Sequence, residues 1–317
     1  AGIMPVQMQV VENDKMEVKR VLMGMVILFE DKKEVLPVIQ TTTGLEYEIT
    51  SKIKKLVETN KPTVGIAQFE GQTSQFTNIQ NLLGQRYTVR PVNLNEVVPT
   101  DVTAMLMSGV SDSLSTDEYN NLSSYLKRGG SLFLTQNRIK TNLQIQQAFP
   151  IQSNIFDLIE DYGLSISENL VTDKICGRVN VQQQMGPIRM NVPMEYPLLP
   201  VIRSFNAKEA IVSGLEQIQL VFASEITQDS ASIGKVNFVP LFFTSDQSGE
   251  MRGNYNLNPD PQQNPFMRLF NKSKQVLGAR SEYVNNNGIM SQMILVGDSE
   301  FMSDQGCLLY TSDAADE

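Results

Sequence analysis

Histidine is absent from this chain of 317 residues, and so is tryptophan. Without histidine there is no Ser-His-Asp or Cys-His pair, no H-E-x-x-H zinc site and no imidazole proton shuttle. Cysteine is almost absent: Cys176 and Cys307 are the whole supply, too few for a thiolate metal site and weak ground for a disulfide. Long apolar runs are missing. The longest extends only from Val21 to Phe29 and contains Gly24, far short of the ~20 residues a membrane-spanning helix needs. Basic charge is in deficit, with 26 Lys and Arg against 35 Asp and Glu and a net charge of −9. That balance excludes a dedicated nucleic-acid binder, which must neutralise phosphates.

What is present is an ordinary globular composition, 41% hydrophobic and 19% charged. Collagen, disulfide scaffolds and disordered polyelectrolytes are excluded, and the length suggests about two domains with a sizeable core. The chain opens Ala1-Gly2-Ile3 inside an apolar–polar pattern, so it is expected to be a fragment. Its last stretch, 307–317, matches the translation of a transposase adapter used in library preparation. That peptide is expected to be foreign to the natural protein and is set aside from fold reasoning.

The apolar spacing organises the rest. Val21–Phe29 and Val35–Ile39 flank a charged turn, Glu30 to Glu34, and read as a hairpin. Thr43 and Glu46 form a capping-box pattern before a helical stripe of Leu45, Ile49, Ile53, Leu56 and Val57. Asn60-Lys61-Pro62 breaks that helix, which places a partial α+β domain at 1–60 and a second domain at 61–306. From Pro62 onward strand and helix alternate: Thr63–Ala67, a helix through Phe76 to Gly84, Tyr87–Val92, Ala104–Met107, a helix opened by Ser115-Thr-Asp-Glu118, and Ser131–Leu134 after Gly129-Gly130. Alternation of this kind predicts a doubly wound, mainly parallel α/β sheet, flavodoxin-like in class. Ile155–Tyr162 reads as a further helix, and Ile218–Phe222, Val236–Phe243 and Met293–Val296 as strands. The Pro-, Gly-, Asn- and Gln-rich stretches 176–203 and 245–265 read as long loops.

Few patterns carry chemistry. Gly297-Asp-Ser299 resembles the nucleophile block of SGNH-type esterases, but that serine needs a histidine partner. A strand-end turn with Asp298 capping backbone N–H groups is the expected reading. Phe69-Glu-Gly71 lacks dinucleotide-binding spacing. Glu46, Glu48, Asp157, Glu160 and Asp161 read as solvated helix faces, Cys176 beside Arg178 as an inert thiol, and the scattered methionines as core filling. No cofactor and no metal site are expected.

Several motifs in order resemble the extracytoplasmic part of GldG-like auxiliary subunits of ABC transport systems, the gliding-motility-associated group. They are Gly44–Leu56 (GLEYEITSKIKKL), Lys61–Gly65 (KPTVG), Leu114–Tyr119 (LSTDEY), Tyr125–Leu132 (YLKRGGSL) and Val296–Phe301 (VGDSEF). The resemblance implies a membrane-tethered protein of the bacterial inner membrane, this segment on the periplasmic side, beside an ABC permease and ATPase. It also implies a class I glutamine amidotransferase-like fold without the amidotransferase nucleophile, since Thr135-Gln-Asn137 stands where that cysteine would be. Relatives carry a Gly-His-Gly-Glu-like turn after the first strand; here it is Gln68-Phe-Glu-Gly71, so no role of that histidine transfers.

The function expected is therefore a non-catalytic domain that binds a transported substrate, a glycan or peptide, or a partner subunit. A cryptic hydrolase working without histidine and a purely structural spacer are the alternatives. In an open parallel sheet ligands bind at the carboxyl ends of the strands. Those ends are Glu70 and Gln72, Ser108 and Ser111, Thr135, Gln136, Asn137 and Arg138, and Asp298, Ser299 and Glu300. Arg138 is the one fixed cation in that group, and both Arg138 and Asp298 are expected at the surface.

Overall fold

A computed structural model describes residues 2–12, 15–39, 41–42, 44–57, 61–72, 75–185 and 188–304. Thr43 of the first capping-box pattern and the 307–317 peptide lie outside the described residues. Two units divide the chain, Ala1–Lys61 and Pro62–Glu317.

In the first unit β1 (Pro5–Glu12) pairs antiparallel with β2 (Lys15–Leu22), and β3 (Met25–Phe29) with β4 (Lys32–Leu36). The apolar run from Val21 to Phe29 is thus cut in two at Gly24. Any side chain there would collide with the backbone, since a Cβ would lie 2.6 Å from the Leu36 carbonyl oxygen. Helix α1 (Leu45–Val57) places Glu46 and Glu48 in its first turn and Lys54 and Lys55 in its last, as the helix dipole favours. Lys55 and Lys52 reach Glu34 on β4 at 2.6 and 3.3 Å. Their hydrogen bonds hold the Glu34 carboxyl below its ordinary pKa against the opposing effect of burial.

The second unit begins with β5 (Thr63–Gln68), α2 (Thr77–Gly84), β6 (Thr88–Asn93), β7 (Val102–Ser108), α3 (Thr116–Lys127) and β8 (Ser131–Thr135). Strand β5 lies between β6 and β7, with β8 beyond β7, all parallel. Pro91 sits in β6, the outermost strand of the sheet, where a missing N–H costs least. At the start of α3, Ser115 Oγ accepts from the Glu118 N–H and Glu118 Oε2 accepts from the Ser115 N–H, a reciprocal cap. Gly129, at φ 98°, ends the helix. Gly130 is demanded by contact: a Cβ there would lie 2.4 Å from the Tyr125 ring, whose hydroxyl donates to the Ser131 carbonyl.

Strands dominate after that: β9 (Ile139–Asn142), β10 (Gln147–Pro150), then α4 (Ile155–Asp161), β11 (Leu164–Ile166), β12 (Leu170–Asp173), β13 (Cys176–Met185), β14 (Ile188–Ile202), β15 (Ser204–Phe205), β16 (Ile218–Gln219), β17 (Ile226–Gln228), β18 (Asn237–Phe243), β19 (Ser248–Met251), β20 (Val276–Val284) and β21 (Met290–Val296). Eight strands form the central sheet in the order β15-β18-β20-β21-β8-β7-β5-β6.

This corrects the expected fold class. The chain is 41% strand and 18% helix, and its central sheet is mixed, not a doubly wound parallel one. The cause is β20, which pairs antiparallel with both β18 and β21. A short hairpin turn links β20 to β21: Asn285 Oδ1 accepts from the N–H groups of Asn287 and Ile289, and Gly288 has φ 76°. No crossover helix is then required. The stretch 176–203, expected as a loop, is instead the β13–β14 hairpin. Val179 pairs with Met194 and Val181 with Val192 on one half-buried face, while Arg178, Asn180, Gln182, Asn191 and Pro193 are exposed. From 245 to 265 the backbone is largely irregular, but β19 interrupts it and pairs with β12.

Both faces of the sheet are covered. Met105, Met107, Leu132, Leu134, Met293 and Leu295 share one core with Leu122, Tyr125 and Leu126 of α3 and Ile155, Leu158 and Ile159 of α4. The alternate positions face the other way, Ile66 and Leu106 against Phe76, Ile79 and Met302, and Leu241 and Leu277 with Val212 and Leu220. Burial of each such Leu, Ile or Met side chain contributes roughly 1.5–3 kcal/mol.

Candidate functional site

Six strands deliver their carboxyl ends to one edge of the sheet. Strands β5, β6, β7, β8 and β21 are parallel. Strand β18 runs with them, because it is antiparallel to β20 and β20 is antiparallel to β21. The turn Thr244–Gln247 therefore emerges on the same edge as Phe69–Gln72, Ser108–Ser111, Thr135–Arg138 and Gly297–Glu300.

At the centre of this edge the polar residues bond to one another. Thr135 Oγ1 donates to Ser108 Oγ at 2.6 Å, and Ser108 Oγ donates to the Ser299 carbonyl at 2.6 Å. Gln136 is buried, its Oε1 accepting from the Val110 N–H and its Nε2 donating to the Val110 and Asn137 carbonyls. Asn137 and Ser299 are buried as well.

Asp298 is fully enclosed, contrary to its expected place at the surface. Its two oxygens accept from the N–H groups of Val221 and Glu300, each at 2.8 Å. Burial pushes its carboxyl up to about 7, with the two backbone donors working against that rise. Gly297 is fixed by proximity, since a Cβ there would lie 2.1 Å from the Ser224 carbonyl oxygen. The Gly-Asp-Ser motif is thus a joint that ties the end of β21 to residues 221 and 224.

Around this floor runs a more open rim of Glu70, Ser111, Arg138 and Glu300. Glu70 and Ser111 are exposed; Gln72, Arg138 and Glu300 are half-buried. The Glu70 N–H donates to Glu118 Oε1 at 2.7 Å, so the cap of α3 also positions the turn after β5. Glu300 accepts from the Ser303 hydroxyl. The Arg138 guanidinium lies over the Phe156 ring, 3.7 Å from its centroid, and its Nε is buried without a hydrogen-bond partner among the described residues.

At the β18 end the edge opens into a groove of about 370 Å³, lined by Ile175, Val201, Arg203, Ser204, Lys274 and the turn Thr244–Gln247. Asp173, buried, builds its wall: it accepts from the Ile175 N–H, the Ser245 N–H and the Ser245 hydroxyl at 2.6–2.8 Å. Arg203 and Lys274 were not among the expected site residues. They reach this edge because β15 and β20, which they precede, both run antiparallel to β18 and begin where it ends.

Cys176 does not gain reactivity from Arg178. Burial pushes its thiol up to about 11, the nearby Glu195 carboxylate acts in the same direction, and Arg178 is 65% exposed, 4.0 Å from Glu195. Among the described residues no cluster of acids and cysteines is arranged to hold a metal, and no helix is long and apolar enough to cross a membrane.

Comparison with known proteins places the chain. A family model described as an ABC-type uncharacterized transport system matches residues 61–315. An uncharacterized protein of Borreliella burgdorferi (strain B31) is 23% identical over 323 residues, covering 96% of this chain and 62% of that protein. The chain thus spans about 62% of the length of this curated relative. Among solved structures, the mmIFT52 N-terminal domain is 12% identical, covers 76% of this chain and 88% of that one, and gives a TM-score of 0.49. A ThuA-like protein from Parabacteroides merdae gives 12% identity, 77% and 84% coverage and a TM-score of 0.38. A glutamine amidotransferase from Thermotoga maritima gives 7% identity, 81% and 84% coverage and a TM-score of 0.37. The amidotransferase-like architecture implied by the motifs is not supported at that level.

Proposed function

The chain belongs to the ABC-type uncharacterized transport system family, and from that premise we infer that it is a non-catalytic binding domain of the auxiliary component, docking through the strand-end rim. The coarse role, an auxiliary part of an ABC-type transport system, comes from the family, and permease and ATPase subunits are the partners such a system provides. The extracytoplasmic side, a membrane tether outside this segment and kinship with the gliding-motility branch belong to the proposal, resting on the motif resemblance.

One observation carries the docking surface. Arg138 is held on Phe156, and no ion pair is formed by its guanidinium among the described residues. Stacking fixes the cation's orientation, so little rotamer freedom is lost when a carboxylate or carbonyl of a peptide or glycan meets it. Exposed Ser111 and half-buried Gln72 and Glu300 add further donors and acceptors at the other strand ends of the same edge. A non-catalytic role is supported by the floor beneath, where Thr135 Oγ1 donates to Ser108 Oγ and Ser108 Oγ donates to the Ser299 carbonyl. A hydroxyl proton committed to another hydroxyl or to a carbonyl is not handed to a base, so neither oxygen is activated.

Capture by the detergent-solubilised permease–ATPase complex tests this reading. Arg138→Glu should reduce co-purification at least about tenfold, as reversal of a desolvated charge contact does, with the melting temperature unchanged. Full capture by a folded Arg138→Glu protein would overturn the rim as the docking surface.

A further inference from the structure

We propose that the groove at the β18 end is a binding site for a small organic anion, a sugar-sized solute carrying a carboxylate or a phosphate. The site is distinct from the Arg138 rim and does not depend on the docking reading. At about 370 Å³, the groove falls at the lower end of the range for small-molecule sites, about 300–1,000 Å³.

Charge identifies the ligand. In a chain of net charge −9, this groove is lined by two cations, Arg203 and Lys274, and one carboxylate, Asp246. Among the described residues Arg203 makes no ion pair. Lys274 faces Asp246 at 3.8 Å, with side chains 66% and 78% exposed, a contact too long and too wet to hold the lysine against a competing anion. A guanidinium offers a planar fork to an oxyanion, and an ammonium adds a movable point charge. The second carboxylate nearby, Asp173, is turned inward onto Ile175 and Ser245 and has its oxygens occupied.

The walls are set before any ligand arrives. Asp173 clamps Ser245, the Thr244 hydroxyl donates to Ser248 Oγ, and the Gln275 N–H donates to Thr244 Oγ1. Lys274 adopts φ 50°, left-handed backbone that a lysine seldom takes, and its N–H donates to the Ser245 carbonyl at 3.1 Å. Strain of this kind persists only where the surroundings enforce it, and it gathers at ligand clamps. Ile175 and Val201 supply apolar surface for the C–H faces of the solute, and Ser204 adds a hydroxyl. A preformed, part-apolar groove with one cation outside any ion pair and a second only loosely held is built for a small anion more than for a neutral sugar.

Calorimetric titration of the full chain with glucose, glucuronate and glucose 6-phosphate tests the assignment. At least one of the two anions should bind in the micromolar to low-millimolar range and more weakly at high salt, while glucose gives no heat; which anion binds separates carboxylate from phosphate sources. Arg203→Ala and Lys274→Ala should each weaken binding by about tenfold, the loss expected for a charge-assisted contact. Asp246→Asn should tighten it, because the lysine loses its competitor, and a merely structural role for Asp246 would not produce that gain. Arg138→Glu should leave it unchanged, so failure of the rim and failure of the groove are told apart. No heat with either anion at millimolar concentration, equal binding of glucose, or anion binding indifferent to Arg203→Ala in a protein of unchanged melting temperature would overturn the proposal.

Discussion

The centre and the β18 end of the same sheet edge treat their polar groups in opposite ways. At the centre, Ser108, Thr135, Gln136 and Asp298 are buried, and their hydrogen bonds close on backbone groups and on each other. At the β18 end, Arg203 and Lys274 line an open groove with one weakly held carboxylate. Polar residues at strand ends therefore do not by themselves mark a site. Closed networks make the edge rigid, and only groups left unpaired beside open space can recognise anything.

Gly297→Ala should have the largest effect on the closed centre. Its Cβ would meet a backbone carbonyl, that of Ser224, which cannot swing aside as a side chain can. We expect a loss of about 3 kcal/mol or more in urea unfolding, the size of severe overpacking. An unchanged midpoint would mean that the joint between β21 and residue 224 is slack.

Asp298 should give the next largest effect, with a definite pH signature. Its carboxyl is raised from 3.8 to about 7 in the folded protein, so the folded state binds a proton that the unfolded state has already released between those values. Its contribution to stability is complete below about pH 4, falls as pH rises toward about 7 and is flat above, with a slope of at most about 1.4 kcal/mol per pH unit. Asp298→Asn removes the titrating group and should abolish the slope. It should also cost about 1–3 kcal/mol in acid, because its amide nitrogen cannot accept one of the two backbone N–H bonds. A pH profile shared by both proteins would place the titration elsewhere.

The smallest effect belongs to the open end. Arg203→Ala should alter unfolding free energy by no more than about 0.5 kcal/mol, as surface changes do, checked in the same urea curves. A larger loss would make Arg203 part of the scaffold and sharpen the contrast in the wrong direction.

The parallel half of the sheet was legible because each turn there carries its own signal: the Ser115–Glu118 cap, Gly129-Gly130 and short apolar strands. The antiparallel half hid itself. Strand β20 carries Arg280, Ser281 and Glu282 in mid-strand, and Arg280 is tolerated because it pairs with Glu209 and Glu282. Its one local cue was Asn285-Asn-Asn-Gly288, a turn sequence before an apolar run. The Gln- and Pro-rich residues of β13 and β14 likewise masked a period-two pattern in Val179, Val181, Val192 and Met194. The motif residues were found at the right strand ends, but their burial was not readable. Asp298 is enclosed by Val221, 77 positions away in the chain, and no local pattern reports a contact of that range.

Hydrogen exchange of individual backbone amides tests the contrast most directly. A closed centre predicts that the Val221 and Glu300 amides, both bonded to Asp298 at 2.8 Å, exchange only through near-global opening, while those of Ser111 and Asp246 exchange within the dead time. Rapid exchange at Val221 and Glu300 would contradict it, showing that the strand-end centre opens to solvent in the native state.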